Sequence, residues 1–179
     1  MGFIVMSQAE GNFHALEQAV RHAERHHGHT QYPAEREHKL VFMGNTIGSR
    51  GTERTYFEKI DLYRPDFYIA GETEWRLADA PDIAVTTQLV HETQTRDYVF
   101  IGSERITPVT YEVPRPRSII MPYDQRKKFS GSQLWSRLFP NQNSIDGDMF
   151  VEPGKINGLH GWAYLVIDNK GRIITEEQP

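Results

Sequence analysis

Phe3-Ile4-Val5-Met6-Ser7-Gln8-Ala9-Glu10-Gly11-Asn12-Phe13-His14-Ala15-Leu16-Glu17-Gln18-Ala19-Val20 is the stretch around which the rest of the chain is organised. Phe3 to Ser7 is an apolar run, as in a strand buried on both faces. Gln8 to Asn12 is polar, carries a glycine and reads as a loop. From there Phe13, Leu16, Ala19, Val20 and Ala23 recur at helical spacing, while Glu17, Arg21 and Glu24 fall on the polar side. Strand, loop and surface helix are the opening of an open α/β sheet. In such sheets ligands bind beyond the carboxyl ends of the strands, so the loop at 8–12 is the first place to look for chemistry.

The same unit recurs. Lys39-Leu40-Val41-Phe42-Met43 is continuous enough for a central strand and leads into Gly44-Asn45-Thr46-Ile47-Gly48-Ser49-Arg50-Gly51. Thr52 is a good N-cap for a helix over Glu53 to Tyr63, with Tyr56, Phe57, Ile60 and Tyr63 on its inner face and Pro65 closing it. Phe67 to Ala70 is a third strand, ending in Gly71-Glu72-Thr73-Glu74-Trp75. Beyond Arg76 the order is harder to read: Thr86 to Thr93 is expected to be helical, and Thr95 to Ile101 a short helix capped by Thr95. The second half is richer in strands. Val109 to Val113 alternates, Ser118 to Met121 is short and apolar, and the Pro114-Arg115-Pro116-Arg117 turn lies between them. Trp162 to Asp168 and Arg172 to Thr175 read as a hairpin turning at Asn169-Lys170-Gly171.

Taken together, these strand-end segments resemble the motifs of calcineurin-like metallophosphoesterases, specifically a small bacterial phosphodiesterase-type subgroup. Ser7, Gly11, Asn12, Ala15 and Leu16 match the frame of the opening S-D-[IL]-H-G-N-x-x-A-L motif, but Gln8 and Glu10 stand where the family has its metal-binding Asp and His. Gly44-Asn45-Thr46-Ile47-Gly48 is similar to G-D-x-V-G, with Asn45 in place of the Asp that bridges two metals. Gly71-Glu72-Thr73-Glu74 is similar to G-N-H-[DE], with Glu72 for the metal-binding Asn and Thr73 for the proton-donating His. Pro122 follows the later strand where a ligand His is expected, and no counterpart of the Gly-His-[ST]-His motif is present. Glu152-Pro153-Gly154-Lys155 resembles the closing N-P-G-S.

The resemblance implies one domain over residues 1–179, an α/β fold in the form of a four-layer α/β/β/α sandwich of two mixed sheets, and a former active site at one end of the strands. A dinuclear phosphoesterase clamps two cations about 3.5–4 Å apart with converging anionic and imidazole ligands. No histidine occupies a matched ligand position here. The leading expectation is therefore a metal-free, catalytically degenerate member that serves as an interaction, scaffold or regulatory subunit, with no cofactor and another protein as partner. Two alternatives stand beside it. Glu10, Glu72 and Glu74, helped by Gln8 and Asn45, offer an oxygen-only site for magnesium or manganese, since hard cations take carboxylate and amide oxygens; otherwise these glutamates face water or pair with Arg50 or Arg76. The backbone amides of Gly11, Gly44 and Gly71 with Arg50 offer a phosphate or nucleotide cradle, which the acidic Glu10 and Glu72 oppose. The vestigial cleft thus comprises Gln8, Glu10, Asn12, Asn45, Arg50, Glu72, Thr73 and Glu74.

The totals narrow the classes further. A chain of 179 residues holds one full core and is short for two. A net charge of -4 gives no general pull toward nucleic acid or an anionic membrane. With no cysteine, disulfides, thiolate zinc sites and cysteine nucleophiles are excluded. No apolar run approaches the roughly 20 residues of a membrane span, and the first strand starts almost at Met1, so a cytoplasmic location is expected. Arg115, Arg117, Arg126, Lys127 and Lys128 form a basic patch with Tyr123 and Trp135 beside it, read as a solvated rim and a candidate partner surface. His22, His26, His27 and His29 gather at the end of the first helix; the expectation is that they face its negative end and water, with no carboxylate at ligand spacing to complete a metal set.

Overall fold

A computed structural model describes residues 2–47, 53–78, 89–90, 92–94, 97–103, 118–122, 150–158 and 161–178. Its first sheet contains β1 (Gly2–Ser7), β2 (His38–Gly44), β3 (Phe67–Ala70), β4 (Leu89–Val90), β9 (Trp162–Ile167) and β10 (Ile173–Gln178), in the order β10-β9-β1-β2-β3-β4. β1 to β4 run parallel, while β9 is antiparallel to both its neighbours. The second sheet has the order β5 (Glu92–Gln94), β6 (Tyr98–Ile101), β7 (Ser118–Ile120), β8 (Phe150–Val151), with β5 antiparallel to β6 and the rest parallel. Both sheets are mixed, as expected.

The two-residue period of a strand assigns the layers. From the first sheet, Ile4, Met6, Leu40, Phe42, Tyr68, Tyr164 and Val166 point to one side, where they meet Leu16, Ala19 and Val20 of α1 (Phe13–His26), Phe57 and Ile60 of α2 (Glu53–Tyr63) and Leu77 of α3 (Glu72–Ala78). Phe3, Val5, Val41, Met43, Ile69, Leu165 and Ile167 point to the other side and meet Tyr98, Phe100 and Ile120 of the second sheet. Phe3 sits between Tyr98 and Phe100, with ring centroids 5.9 and 5.2 Å away. Helices, first sheet and second sheet are therefore stacked in that order; the expected helices over the far side of the second sheet fall outside the described residues.

Local signals set the ends of α1. The Asn12 side chain accepts a hydrogen bond from the Ala15 amide at 3.1 Å, satisfying one donor of the first turn. At the other end the His27 amide donates to the Ala23 carbonyl, and Gly28 takes a positive φ of 59° that turns the chain away. The connection that follows is fastened by Arg36. Its guanidinium pairs with Asp66 at 2.7 Å and donates to the carbonyls of Thr30, Tyr63 and Arg64, while Asp66 also accepts from the Leu40 amide.

Two sequence expectations are overturned. Within Thr86 to Thr93 the described residues are the strands β4 and β5, and Tyr98–Ile101, expected in a short helix, is strand β6. The physical reason is the content of β-branched and aromatic residues. Val90, Thr93, Tyr98, Val99, Phe100 and Ile101 lose less on a pleated surface than in a helix. The expected strand at 109–113 lies outside the described residues. No helix among the described residues is long and apolar enough to cross a membrane.

Candidate functional site

Three loops at the carboxyl ends of β1, β2 and β3 meet; backbone hydrogen bonds join the first to the second, and the side chains of Asn45 and Glu74 join the second to the third. The first loop is tight: Gln8, Glu10 and Gly11 all have positive φ, at 53°, 51° and 81°. For the two non-glycine residues this costs of order 1 kcal/mol each. The loop is compensated by the second loop, where the Asn45 carbonyl accepts from the Glu10 amide and the Thr46 carbonyl from the Gly11 amide, both at 3.0 Å. The closing segment lies alongside, with the Ile156 amide donating to the Ser7 carbonyl at 2.9 Å and the Asn157 amide to the Gln8 carbonyl at 3.2 Å.

Close approach explains the glycines. A Cβ on Gly71 would come within 2.6 Å of the Gly44 carbonyl carbon and 2.7 Å of the Asn45 nitrogen, so the third loop can press on the second only without a side chain there. Gly44 has a φ of 68°, and a Cβ on it would come within 2.8 Å of the Pro122 ring. Pro122, at the end of β7, thus brings the second sheet against the same loops.

Glu74 lies at the centre. It is fully buried, and both its oxygens are taken. Oε1 accepts from the amides of Thr46 (2.6 Å) and Ile47 (2.9 Å) and from the Tyr68 hydroxyl (3.2 Å), while Oε2 accepts from the Gly71 amide (3.0 Å). Burial pushes its carboxyl up to about 7, against the opposing pull of these hydrogen bonds. Asn45 ties the same loops from the other side, its Oδ1 accepting from the Thr73 amide at 3.1 Å.

At the rim, Asn157 joins two of the expected residues. Its amide nitrogen donates to Glu10 Oε2 at 3.3 Å and its oxygen accepts from Asn12 at 3.1 Å. Glu10 is exposed, Glu72 and Thr73 are half-buried in the first turn of α3, and Gln8 is buried. Beside the rim, Asn12, His14, Gln18, Ile156 and Trp162 line an open cavity of about 270 Å³.

Gln8, Glu10, Asn12, Asn45, Glu72, Thr73 and Glu74 therefore do gather at one end of the sheet, as the sequence implies. Arg50 lies outside the described residues, as do Arg115, Arg117, Tyr123, Arg126, Lys127, Lys128 and Trp135 of the expected partner surface. Glu10, Glu72 and Glu74 do not bring three ligand atoms within 4.8 Å of one another; among the described residues only His22, His27 and Glu176 do so. Glu74 does not face water, and among the described residues it pairs with no arginine: it is a backbone brace. Tyr68 and Asn157, which the sequence reading passed over, belong to this site because of tertiary contacts alone.

The histidines of α1 correct another expectation. His29 is only 5% exposed, and burial lowers its imidazole to about 4. His22 Nδ1 lies 2.8 Å from the Tyr164 hydroxyl, and His27 Nε2 lies 3.0 Å from Glu176 Oε1. A carboxylate does complete the set. It comes from β10, far away in the chain, where no local spacing could have announced it.

No protein-family model and no curated protein matches the sequence. Among solved structures, the chain is similar to a metallophosphoesterase from Sphaerobacter thermophilus, with a TM-score of 0.59 and 13% identity over 100% of this chain and 89% of the other. At that identity the likeness is one of fold, and the chain has the two-sheet sandwich of a metallophosphoesterase.

Proposed function

We propose that this protein keeps the metallophosphoesterase sandwich as a scaffold or regulatory subunit and works without the dinuclear metal centre. The observation that carries this reading is Glu74. A carboxylate at the meeting point of the three loops spends both oxygens on three backbone amides and a tyrosine hydroxyl, so internal hydrogen bonds hold together what metal ions would otherwise organise. Glu74 itself matches the acid of G-N-H-[DE], not a ligand; the residues at the matched ligand positions are Gln8, Glu10, Asn45, Glu72 and Pro122, which bring neither imidazole nor a bridging carboxylate. A phosphate cradle is disfavoured for a separate reason: the Gly11 and Gly71 amides already donate to Thr46 and Glu74.

On this reading the partner is another protein in the cytoplasm, and the metal-binding alternative through Glu10, Glu72 and Glu74 is the competing enzyme hypothesis. Hydrolysis of bis(p-nitrophenyl) phosphate in the presence of manganese, magnesium or zinc tests the two directly. No turnover above the metal-buffer background is expected. Robust metal-dependent turnover, abolished by Glu10→Gln or Asn45→Ala, would overturn the proposal and make this an oxygen-ligated phosphoesterase.

A further inference from the structure

His22 on α1, His27 at its C-cap and Glu176 on the edge strand β10 each offer one ligand atom within 4.8 Å of the other two. We propose that these three residues bind one zinc-type transition-metal ion, clipping the C-terminal half of α1 to the edge of the first sheet. The site shares no residue with the strand-end loops and does not depend on what they do.

The topology brings the three side chains together. Glu176 stands directly opposite Tyr164 in the antiparallel β9–β10 pair, so both point to the same face. That face is the one α1 covers, because Tyr164 packs in the same core as Leu16, Ala19 and Val20. The Glu176 carboxylate therefore stands beside the end of the helix, where the His27 ring meets it at 3.0 Å.

The donor set selects the ion. Two imidazoles and one carboxylate are a His₂Glu set, which binds zinc tetrahedrally with the fourth position left for water. Magnesium and calcium prefer oxygen ligands throughout and are poorly served by two histidines. The surroundings supply the outer contacts that orient ligating imidazoles. Tyr164 holds one ring nitrogen of His22, whose ring also lies 4.3 Å from that of His26 and 5.1 Å from Trp162. All three candidate ligands are half-buried, shielded yet reachable from solvent.

A clip is useful at this place. Among the described strands β10 pairs with β9 alone, and its Ile173 and Ile174 are 38% and 40% exposed. A bond from α1 through an ion to Glu176 ties that edge strand to the helix layer, and binding energy of this kind adds directly to folding stability.

The test is a zinc titration of the tag-free full-length protein by calorimetry and thermal melting, with cobalt(II) as a visible-absorption probe. One ion per chain is expected, with a rise in Tm on zinc addition and the intense visible bands of four-coordinate cobalt. Glu176→Gln and His27→Gln should each weaken binding by more than about 10-fold and remove the cobalt bands, whereas Glu10→Gln should change neither. Glu176→Gln keeps the size of the side chain, and its metal-free circular dichroism spectrum should match the wild type, so loss of binding there is not loss of fold. The proposal is overturned if no ion is retained, or if both variants bind as the wild type does, which would mean adventitious capture by surface histidines. It is equally overturned if Glu10→Gln, not Glu176→Gln, abolishes binding, which would place the ion in the strand-end loops and count against the metal-free reading as well.

Discussion

Glu74→Gln sets burial against hydrogen bonding. The side chain is fully buried, which favours the neutral acid, yet four donors converge on it, which favours the carboxylate. Burial prevails and the carboxyl rises from its ordinary 4.5 to about 7. At about 1.4 kcal/mol per pH unit, this linkage is worth roughly 3 kcal/mol. Its sign follows from the folded state holding the proton more tightly. The stabilisation is full below pH 4.5 and is lost as pH rises through about 7. Glutamine cannot titrate, but its NH₂ must replace one acceptor oxygen. With its carbonyl oxygen left to the Thr46 and Ile47 amides, the NH₂ faces the Gly71 amide donor to donor, at a cost of about 1–3 kcal/mol. Urea unfolding followed by circular dichroism should therefore show Glu74→Gln less stable than wild type at pH 5 by about 1–3 kcal/mol, with the gap closing or reversing by pH 8 as the linkage of roughly 3 kcal/mol is lost. The comparison has to be a difference between the two proteins. His29, lowered from 6.5 to about 4, contributes stability that is present above 6.5 and lost as pH falls, and this opposes Glu74 in the wild-type curve. A gap that stays constant across the pH range would refute the reasoning, because it would mean that the four donors keep Glu74 ionised throughout.

Arg36→Ala should destabilise the protein by about 3–5 kcal/mol, visible as a lower urea midpoint, because it leaves Asp66 and three carbonyls without the guanidinium that is now 2% exposed. Gly71→Ala should cost about 3 kcal/mol or more in the same assay, since its Cβ meets the backbone of Gly44 and Asn45, which cannot rotate away.

The early half of the fold was legible because its signals are local. Apolar runs marked β1, β2 and β3, the spacing of Leu16, Ala19, Val20 and Ala23 marked α1, and the helix expected from Glu53 to Tyr63 is the one found. The hairpin of β9 and β10 was legible for the same reason, through Asn169-Lys170-Gly171. Tyr98 to Ile101 was misread because an apolar run without periodicity does not declare itself helix or strand. Its pairing with Ser118 to Ile120 decided the matter, and that partner lies some distance along the chain.

The candidate site divides along the same line. Sequence alone placed Gln8, Glu10, Asn12, Asn45, Glu72, Thr73 and Glu74 at strand ends, because the order of strands, loops and residue types is written along the chain. It could not say that Glu74 would spend its carboxylate on the backbone of another loop, nor that Glu176 would meet His27 across 149 residues. Those facts depend on which strands pair, in what register, and which face each side chain takes. Only the folded sheet fixes these, because hydrogen bonds and ligand sets form between neighbours in space.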